Sequence, residues 1–287
     1  MIPISVIITA PIGIDKCLVP AGFLAEADGK DLEVIIVDGA KDFVDRSRPG
    51  LKHVSIPNAP VVVLVSEGMR HASKDWIVFF EDHGRPLPGL VAAYREAIAA
   101  NPDIDLFSGA MENLTSTSPW SFASFLFNST EFWPPAHGAP AGAIVANLAV
   151  RRSAILPSEL AAVGALEMMT IPRLASAHRY RHWPKASVDH TRHLTWRQAL
   201  GFQYASSVTY ANVNLRLGLS RGILYRLAKD CARFPYVVLW TPWRKLSALE
   251  GTDQHHLAMI PKFILLGLAG ATAIILCDLK SLGTRNT

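Results

Sequence analysis

Residues Phe79-Phe80-Glu81-Asp82-His83-Gly84-Arg85-Pro86 carry an apolar run straight into three consecutive side chains able to bind a metal or move a proton. A Gly/Pro turn follows. If strand geometry persists, its period of two turns Glu81 and His83 to one side, where a carboxylate and an imidazole can share one divalent ion. Mixed oxygen and nitrogen donors suit Mn2+ or Mg2+ carried in with a diphosphate. In an open α/β sheet, ligands bind beyond the carboxyl ends of the strands, where this triplet lies. The plain alternative is a solvated acidic strand end followed by a turn.

A second carboxylate, Asp38, ends the run Leu32–Val37 and precedes Gly39. Beside the exit of the first apolar run, Ala10-Pro11-Ile12-Gly13, it could accept hydrogen bonds from a nucleoside base or ribose. An Asx turn accounts for Asp-Gly as readily. Arg70 could reach a diphosphate, or it is a solvated helix arginine. His178 and His182 fit one helix face, with His190 and His193 close behind. Without a cysteine partner or a His-Glu-x-x-His pattern, surface or internally satisfied histidines are favoured over a zinc cluster. A Walker A pattern is absent, which counts against a P-loop protein.

The elements that must position these groups alternate. Ile4–Thr9, Leu32–Val37 and Trp76–Phe80 are short, nearly all apolar runs, as expected of strands covered on both faces. Leu90–Ala100 enters through Pro88-Gly89 and stops at Asn101-Pro102, so it reads as a helix. Ile104–Ala110 reads as a strand, Ala143–Val150 as another, and Ala165–Ala177 as a helix. Val61–Val65 has strand propensity, while Val62–Ser73 also fits a helix packed on the sheet. Pro119–Pro140, rich in aromatics, Ser and Pro, suits a structured loop or short helices. Alternating β and α units imply a doubly wound α/β layer.

From Leu194 the texture changes. Trp196, Arg197, Tyr204, Tyr210, Arg216, Arg221, Tyr225, Arg226, Arg233, Trp240, Trp243 and Arg244 interleave aromatic and basic residues. They fit ordinary amphipathic helices or helices lying in a lipid interface. The uncharged run 263–277 has fifteen residues, short of the roughly 20 a spanning helix needs. Extending it back takes in Pro261 and Lys262, so a core helix, a re-entrant segment and a single span all stay open. Composition agrees with a membrane partner: hydrophobic residues make up 50%, charged residues 18%, and the formal charge is +4. That basic excess fits an anionic ligand or membrane face and is too weak to argue nucleic acid. The three cysteines are scattered, which indicates neither a disulfide framework nor a zinc ribbon and favours a reducing compartment. Met1–Thr9 lacks a basic leader and a cleavage site, so it reads as a first strand, and the sequons at Asn113 and Asn128 carry little weight.

Taken in order, Val37-Asp38-Gly39, Glu67-Gly68-Met69-Arg70-His71-Ala72, Glu81-Asp82-His83 and Pro86-x-Pro88-Gly89 resemble glycosyltransferase family 2 of the GT-A fold, in the bacterial branch where EDH replaces Asp-x-Asp. The likeness continues through Gly109–Asn113, Gly142–Ser153, Val188-Asp189-His190 and the apolar tail. It implies a Rossmann-like, mostly parallel α/β sheet with a C-terminal helical, membrane-associating tail, and it tips Val62–Ser73 towards helix. Residues 1–110 would bind the nucleotide sugar, 111–192 would bind the acceptor, and 193–287 would form the tail.

The resemblance also implies roles. Ala10, Pro11, Asp38, Arg70 and Asp82 would contact the donor, with Asp38 on the nucleoside. Glu81, His83 and, from a distant strand, His190 would hold the metal. Glu167, near a helix start after Gly164, matches the catalytic carboxylate, and Glu112 is the alternative base. The implied reaction moves a sugar from a nucleotide-diphosphate donor to a lipid-linked or polysaccharide acceptor at the cytoplasmic face of the inner membrane, with inversion. Two rivals stand beside it, a sugar-nucleotide nucleotidyltransferase and an inactive membrane scaffold of the same fold.

Overall fold

The computed structural model describes residues 1–19, 23–24, 30–114, 118–134, 140–190, 192–217, 231–232, 236, 240 and 259–283. Of the aromatic and basic residues singled out beyond Arg216, all but Trp240 lie outside the described residues. Two compact units emerge, one from residues 1–114 and 139–191, the other from 115–138 and 192–287.

The first unit is built on one eight-stranded sheet. Strands β1 (Ile4–Ala10), β2 (Leu32–Asp38), β3 (Leu51–Ser55) and β4 (Trp76–Glu81) run parallel. Beyond β4 come β7 (Asn147–Arg151), β6 (Leu106–Glu112), β8 (Tyr180–His190) and β5 (Gly84–Pro86), in the order β3-β2-β1-β4-β7-β6-β8-β5. β7 is antiparallel to both β4 and β6, and β5 is antiparallel to β8, so six strands point one way and two the other. Every residue of β1 and β2 is buried, as unbroken Ile/Val runs require when helices cover both faces. The core on one face joins Ile7, Ile35, Ile77 and Phe79 to Leu64 and Met69 of α1 (Val61–His71) and to Leu166, Ile171 and Leu174. Gly68 lets α1 press onto β1, since a Cβ there would lie 2.4 Å from the Ile7 side chain.

The anticipated strands and the helix α2 (Leu90–Ala100) are all present, and Val61–His71 is helical. Other details differ. The expected helix Ala165–Ala177 divides into one π turn, Leu166–Thr170, and α5 (Ile171–Ser176), preceded by a short α4 (Pro157–Ala161). His178 and His182 share no helix face: His178 has φ 56° at a turn, and His182 is on β8. Residue 110, the limit drawn between the nucleotide and acceptor halves, lies within β6, and both halves contribute strands to one sheet.

One crossing decides where β6 and β8 go. Ser108 pairs with His182 but Ala110 pairs with Ser187, so four residues of β8 bulge opposite Gly109. Asn147, buried at the start of β7, fastens this irregularity. Its Nδ2 donates to the carbonyls of Ala110 (2.7 Å) and Ala186 (2.9 Å), and its Oδ1 accepts from the Tyr94 hydroxyl at 2.7 Å. Past that point β6 pairs only with β8, and β8 with β5, so these three strand ends extend beyond β7.

The second unit contains α3 (Pro119–Ser129), capped by the Ser118 hydroxyl, together with α6 (Trp196–Arg216) and α7 (Ile260–Gly283). α7 is longer than its apolar run because Pro261 falls in the first turn, where a missing N–H breaks no helical bond. Ile260–Lys280 is long and apolar enough to cross a membrane by length and composition.

Two predictions test this frame. A Cβ at Gly109 would lie 2.1 Å from the Ala186 carbonyl oxygen and 2.2 Å from Asn147 Nδ2, so Gly109→Ala should destabilise the fold by about 3 kcal/mol or more. Asn147→Ala, which removes the side-chain donors to two carbonyls and the acceptor of the Tyr94 hydroxyl, should cost a similar amount, about 3 kcal/mol, by urea denaturation. The second concerns Glu33. Burial pushes its carboxyl up, but the Ser5 hydroxyl, the Ser73 amide, the Lys52 ammonium and the Ser73 hydroxyl together hold it below the ordinary glutamate value. A depressed carboxyl stabilises the fold above its unfolded pKa, and that contribution disappears as pH falls through the folded one. Urea midpoints should therefore drop on acidification below the ordinary glutamate range, and Glu33→Gln should flatten that part of the profile.

Candidate metal and donor site

Three side chains from two distant segments converge at the carboxyl end of β4. His83 Nε2 lies 2.9 Å from Glu81 Oε2 and 2.8 Å from His190 Nε2, and His190 Nε2 lies 3.1 Å from the same Glu81 oxygen. As a hydrogen-bonded cluster, the close imidazole pair requires a proton on one of the two nitrogens. As a ligand set it requires none. An octahedral ion with bonds of about 2.1 Å places neighbouring donor atoms about 3.0 Å apart, and all three separations fall close to that value. The donor set therefore fits Mn2+ or Mg2+, with coordination positions left for oxygen ligands. The three side chains are 12–16% exposed, sheltered yet open on one side.

The chain prepares this geometry. Asp82, buried, accepts from His83 Nδ1 at 2.9 Å, which fixes the ring and leaves the Nε2 lone pair towards the cluster. The backbone of Asp82 is held on both sides, its N–H donating to Thr9 O and its carbonyl accepting from Leu18 N. His190 is set by pairing with Gly84 in the β5–β8 ladder, and its carbonyl accepts from Asn113 Nδ2. Two buried oxygens, Asp82 Oδ2 and Thr9 Oγ1, have no hydrogen-bond partner among the described residues. Thr9 stands in register with Glu81, so unused polar capacity borders the cluster.

Asp38 is buried and occupied. Its Oδ1 accepts from Ala40 N (2.7 Å), and its Oδ2 accepts from Ile14 N (3.1 Å) and faces His53 Nε2 at 3.2 Å. Ala10 O accepts from the amides of Gly13 and Gly39, and a Cβ on Gly39 would sit 2.9 Å from Pro11 O. Asp38, Ala10 and Pro11 thus clamp two loops together beside the triad. Burial, and then the Asp82 and Asp38 carboxylates, push the nearby Cys17 thiol up to about 12, against a backbone bond to Val19 that lowers it.

The two candidate bases are placed differently. Strand alternation turns Glu81 to the face of Ile77 and Phe79, where Leu166 and Ile171 pack, and Glu167 follows Leu166 in the π turn on that face. π turns recur at functional positions. Glu112 pairs in register with Asp189, which also pairs with Arg85, so these three share a face of the extension while His190 points to the other. Burial and the Asp189 carboxylate raise the Glu112 carboxyl. Arg70 does not reach the site. It pairs with Glu67 near the end of α1, and the next strand begins at Trp76, in register with Ile4 at the opposite end of β1 from Ala10. Some six residues of strand, about 20 Å, separate the two edges.

Sequence reasoning missed three supports. Asp189, 2% exposed, takes Arg85 Nη2 and Leu114 N, each at 2.9 Å. Asn147 holds the strand crossing described above. Only the alternation of Arg85 with Gly84 and of Asp189 with His190 hinted at the pair, and nothing local hinted at Asn147.

No family model and no curated protein matches this chain. Solved structures do. A mannosyltransferase from Pyrobaculum calidifontis, in complex with GDP-Man and Mn2+, superposes with a TM-score of 0.51 at 16% identity, covering 98% of this chain and 88% of that one. S. aureus TarS 1–349 gives 0.48 at 10% identity over 99% and 92%. Glucosyl-3-phosphoglycerate synthase from Mycobacterium tuberculosis gives 0.45 at 16% identity over 75% and 79%. At these identities the likeness speaks for the fold alone, and it is carried by the first of them: the α/β unit with its mixed, mostly parallel sheet has the GT-A fold.

Proposed function

We propose that this chain is a metal-dependent glycosyltransferase that moves a sugar from a nucleotide-diphosphate donor to a lipid-linked or cell-envelope saccharide at a membrane surface. The observation that carries the reading is the meeting of Glu81, His83 and His190 at the carboxyl edge of a GT-A sheet. The mannosyltransferase of similar fold was solved with a nucleotide sugar and Mn2+, which supports the same ligand classes here. When bound, Mn2+ or Mg2+ supplies a Lewis acid that offsets charge on the departing nucleotide diphosphate.

The chain's residues do the rest. Glu81, His83 and His190 hold the ion, and Asp82 keeps His83 in the ligating tautomer. The loops clamped by Asp38, from Ala10 and Pro11 to Gly13 and from Gly39 to Ala40, form the floor for the nucleoside. Glu167 takes the proton from the acceptor hydroxyl as it attacks the anomeric carbon, giving inversion. Its place in the π turn beside the core that carries Ile77 and Phe79 supports this role. Residues 111–192 serve the acceptor side, and the C-terminal helices attach the chain to the cytoplasmic face of the inner membrane. No feature favours nucleic acid as a partner.

Nucleoside diphosphates with Mn2+ should raise the melting temperature, and chelation should abolish the shift. Glu81→Ala, His83→Ala and His190→Ala should each remove it and lower transfer at least ~100-fold with folding intact, while Asp82→Asn should weaken metal affinity by about 10–100-fold. Unaltered Mn2+-dependent shifts in all three alanine variants would rule out the triad as the metal site. Glu167→Gln should lower kcat by about 10^2–10^4 with donor binding unchanged, and Glu112→Gln should stay within a few-fold. The reverse result assigns the base to Glu112. Metal-dependent nucleotide binding without turnover over a broad acceptor panel would identify a scaffold.

A further inference from the structure

Helices α6 and α7 bury polar residues against each other and leave large apolar ones outside. Gln203 and Ser207 of α6 are buried, and so are Gly270, Cys277 and Asp278 of α7, with Asp278 fully enclosed. Facing outward are Tyr204 and Tyr210 on α6 and Leu265, Leu276 and Leu279 on α7. Contact is made through small residues. A Cβ on Gly270 would meet Ser207 Oγ at 3.0 Å and Gln203 Nε2 at 3.2 Å, and Cys277 Sγ donates to Asn212 Oδ1 at 3.2 Å. Small and polar residues share the interior with Phe263 and Leu266, while tyrosines and leucines also face outward, a mixture that suits helices lying at a lipid interface.

The register adds a topological constraint. Gly270 meets residues 203 and 207 while Cys277 meets 212, so α6 and α7 run in the same direction. If α7 crossed a bilayer, α6 would lie beside its middle, and the link from Leu217 to Met259 would have to cross back. That link contains no uncharged run longer than the ten residues 234–243, which include Pro235 and Pro242. A crossing helix needs roughly 20 apolar residues, and irregular backbone exposed to lipid is not tolerated. Length and composition allow α7 to span; its partner helix argues against it.

The charges point to the kind of surface. α6 has no charged residue between Arg197 and Arg216, α7 is flanked by Lys262 and Lys280, and the one acid on either helix, Asp278, is turned inward. Between the helices runs a groove of about 290 Å³ with Tyr204, Val208, Ala273 and Leu276 along it and Asn212 and Lys280 at one end. Such a groove offers apolar walls to an acyl chain and a cation to its phosphate.

We infer that α6 and α7 form one monotopic module that enters a single leaflet of an anionic phospholipid bilayer and does not cross it. This rests on the membrane-attachment part of the function proposed above and replaces a spanning C-terminal segment with a pair of in-plane helices.

The test uses the full chain with Cys17, Cys231 and Cys277 changed to Ser and a single cysteine placed at Leu276 or Tyr204, labelled with an environment-sensitive fluorophore. It is added to preformed vesicles of phosphatidylglycerol and phosphatidylcholine. Both labels should be quenched by lipids with a nitroxide near the headgroup and little by one deep in the chain. A protease site after Thr287 should be cut completely from outside. Leu276→Glu and Tyr204→Glu should each lower vesicle partition about tenfold, and pure phosphatidylcholine should bind at least about tenfold more weakly. Deep quenching at Leu276 with a protected C-terminal site would establish a span and overturn the inference. Quenching at Leu276 alone would take α6 out of the membrane and overturn it too. No quenching at either position would refute membrane attachment itself, while the Mn2+-dependent nucleotide shift, read on the same preparation, reports separately on the donor site.

Discussion

Two imidazole nitrogens and a carboxylate oxygen within about 3 Å of one another repel unless a proton or a metal ion is shared among them, and the first unit is arranged so that they meet. Glu81 and His83 come as neighbours on one strand end. His190 arrives from 107 residues further along the chain, so its position depends on β8, and β8 depends on the crossing at Gly109 and Asn147. Each link in that sequence is a close contact or a buried hydrogen bond with little room to relax. The site is therefore only as well placed as the irregularity that lets β6 and β8 run past β7.

The part of this that could be read from the residues is the part encoded locally. Glu81-Asp82-His83 follows an apolar run. The strand ends at Glu81, however, and a turn at Asp82-His83, not strand alternation, brings His83 to Glu81. β1, β2, β4 and α2 announce themselves through composition and punctuation. β8 does not. Its stretch Tyr180–His190 contains Pro184, is largely polar on its exposed positions and bulges in the middle, so neither alternation nor propensity marks it as a strand. His190 entered the reading through a family likeness. The structure then supplied the physical reason, a ladder of Gly84 with His190 that no spacing along the chain expresses.

Arg70 and Asp38 show the complementary failure, in which residue type suggests chemistry and topology withholds it. An arginine close to a metal motif in sequence is attractive to a diphosphate, but a helix that leads into a parallel strand delivers its C-terminus to the amino edge of the sheet, away from ligands. Asp38 is at the correct edge, yet three donors from its own chain already surround the carboxylate. Its effect on a ligand passes through the loops it ties. Glu112 and Glu167 are both carboxylates near the carboxyl edge, and they differ in setting: Glu112 pairs in register with the Arg85-bound Asp189, while Glu167 follows Leu166 in the π turn.

The helical unit shows why hydropathy along one helix is an incomplete measure of its environment. The run 263–277 is apolar enough to suggest a membrane and too short to prove a crossing, while α6, with its glutamines, asparagines and serines, would be assigned to water. Packed together, Gln203 and Ser207 of α6 turn towards small residues of α7, and the pair presents tyrosines and leucines outward. The cost of placing Gln203 and Ser207 in an apolar medium falls when they face the other helix, where Gln203 Nε2 and Ser207 Oγ lie within reach of each other and of Gly270. The same inward turn removes the only acid from a surface otherwise edged with arginine and lysine. A seam of this kind is useful to a protein that must stay at an anionic surface without committing a helix to the far side.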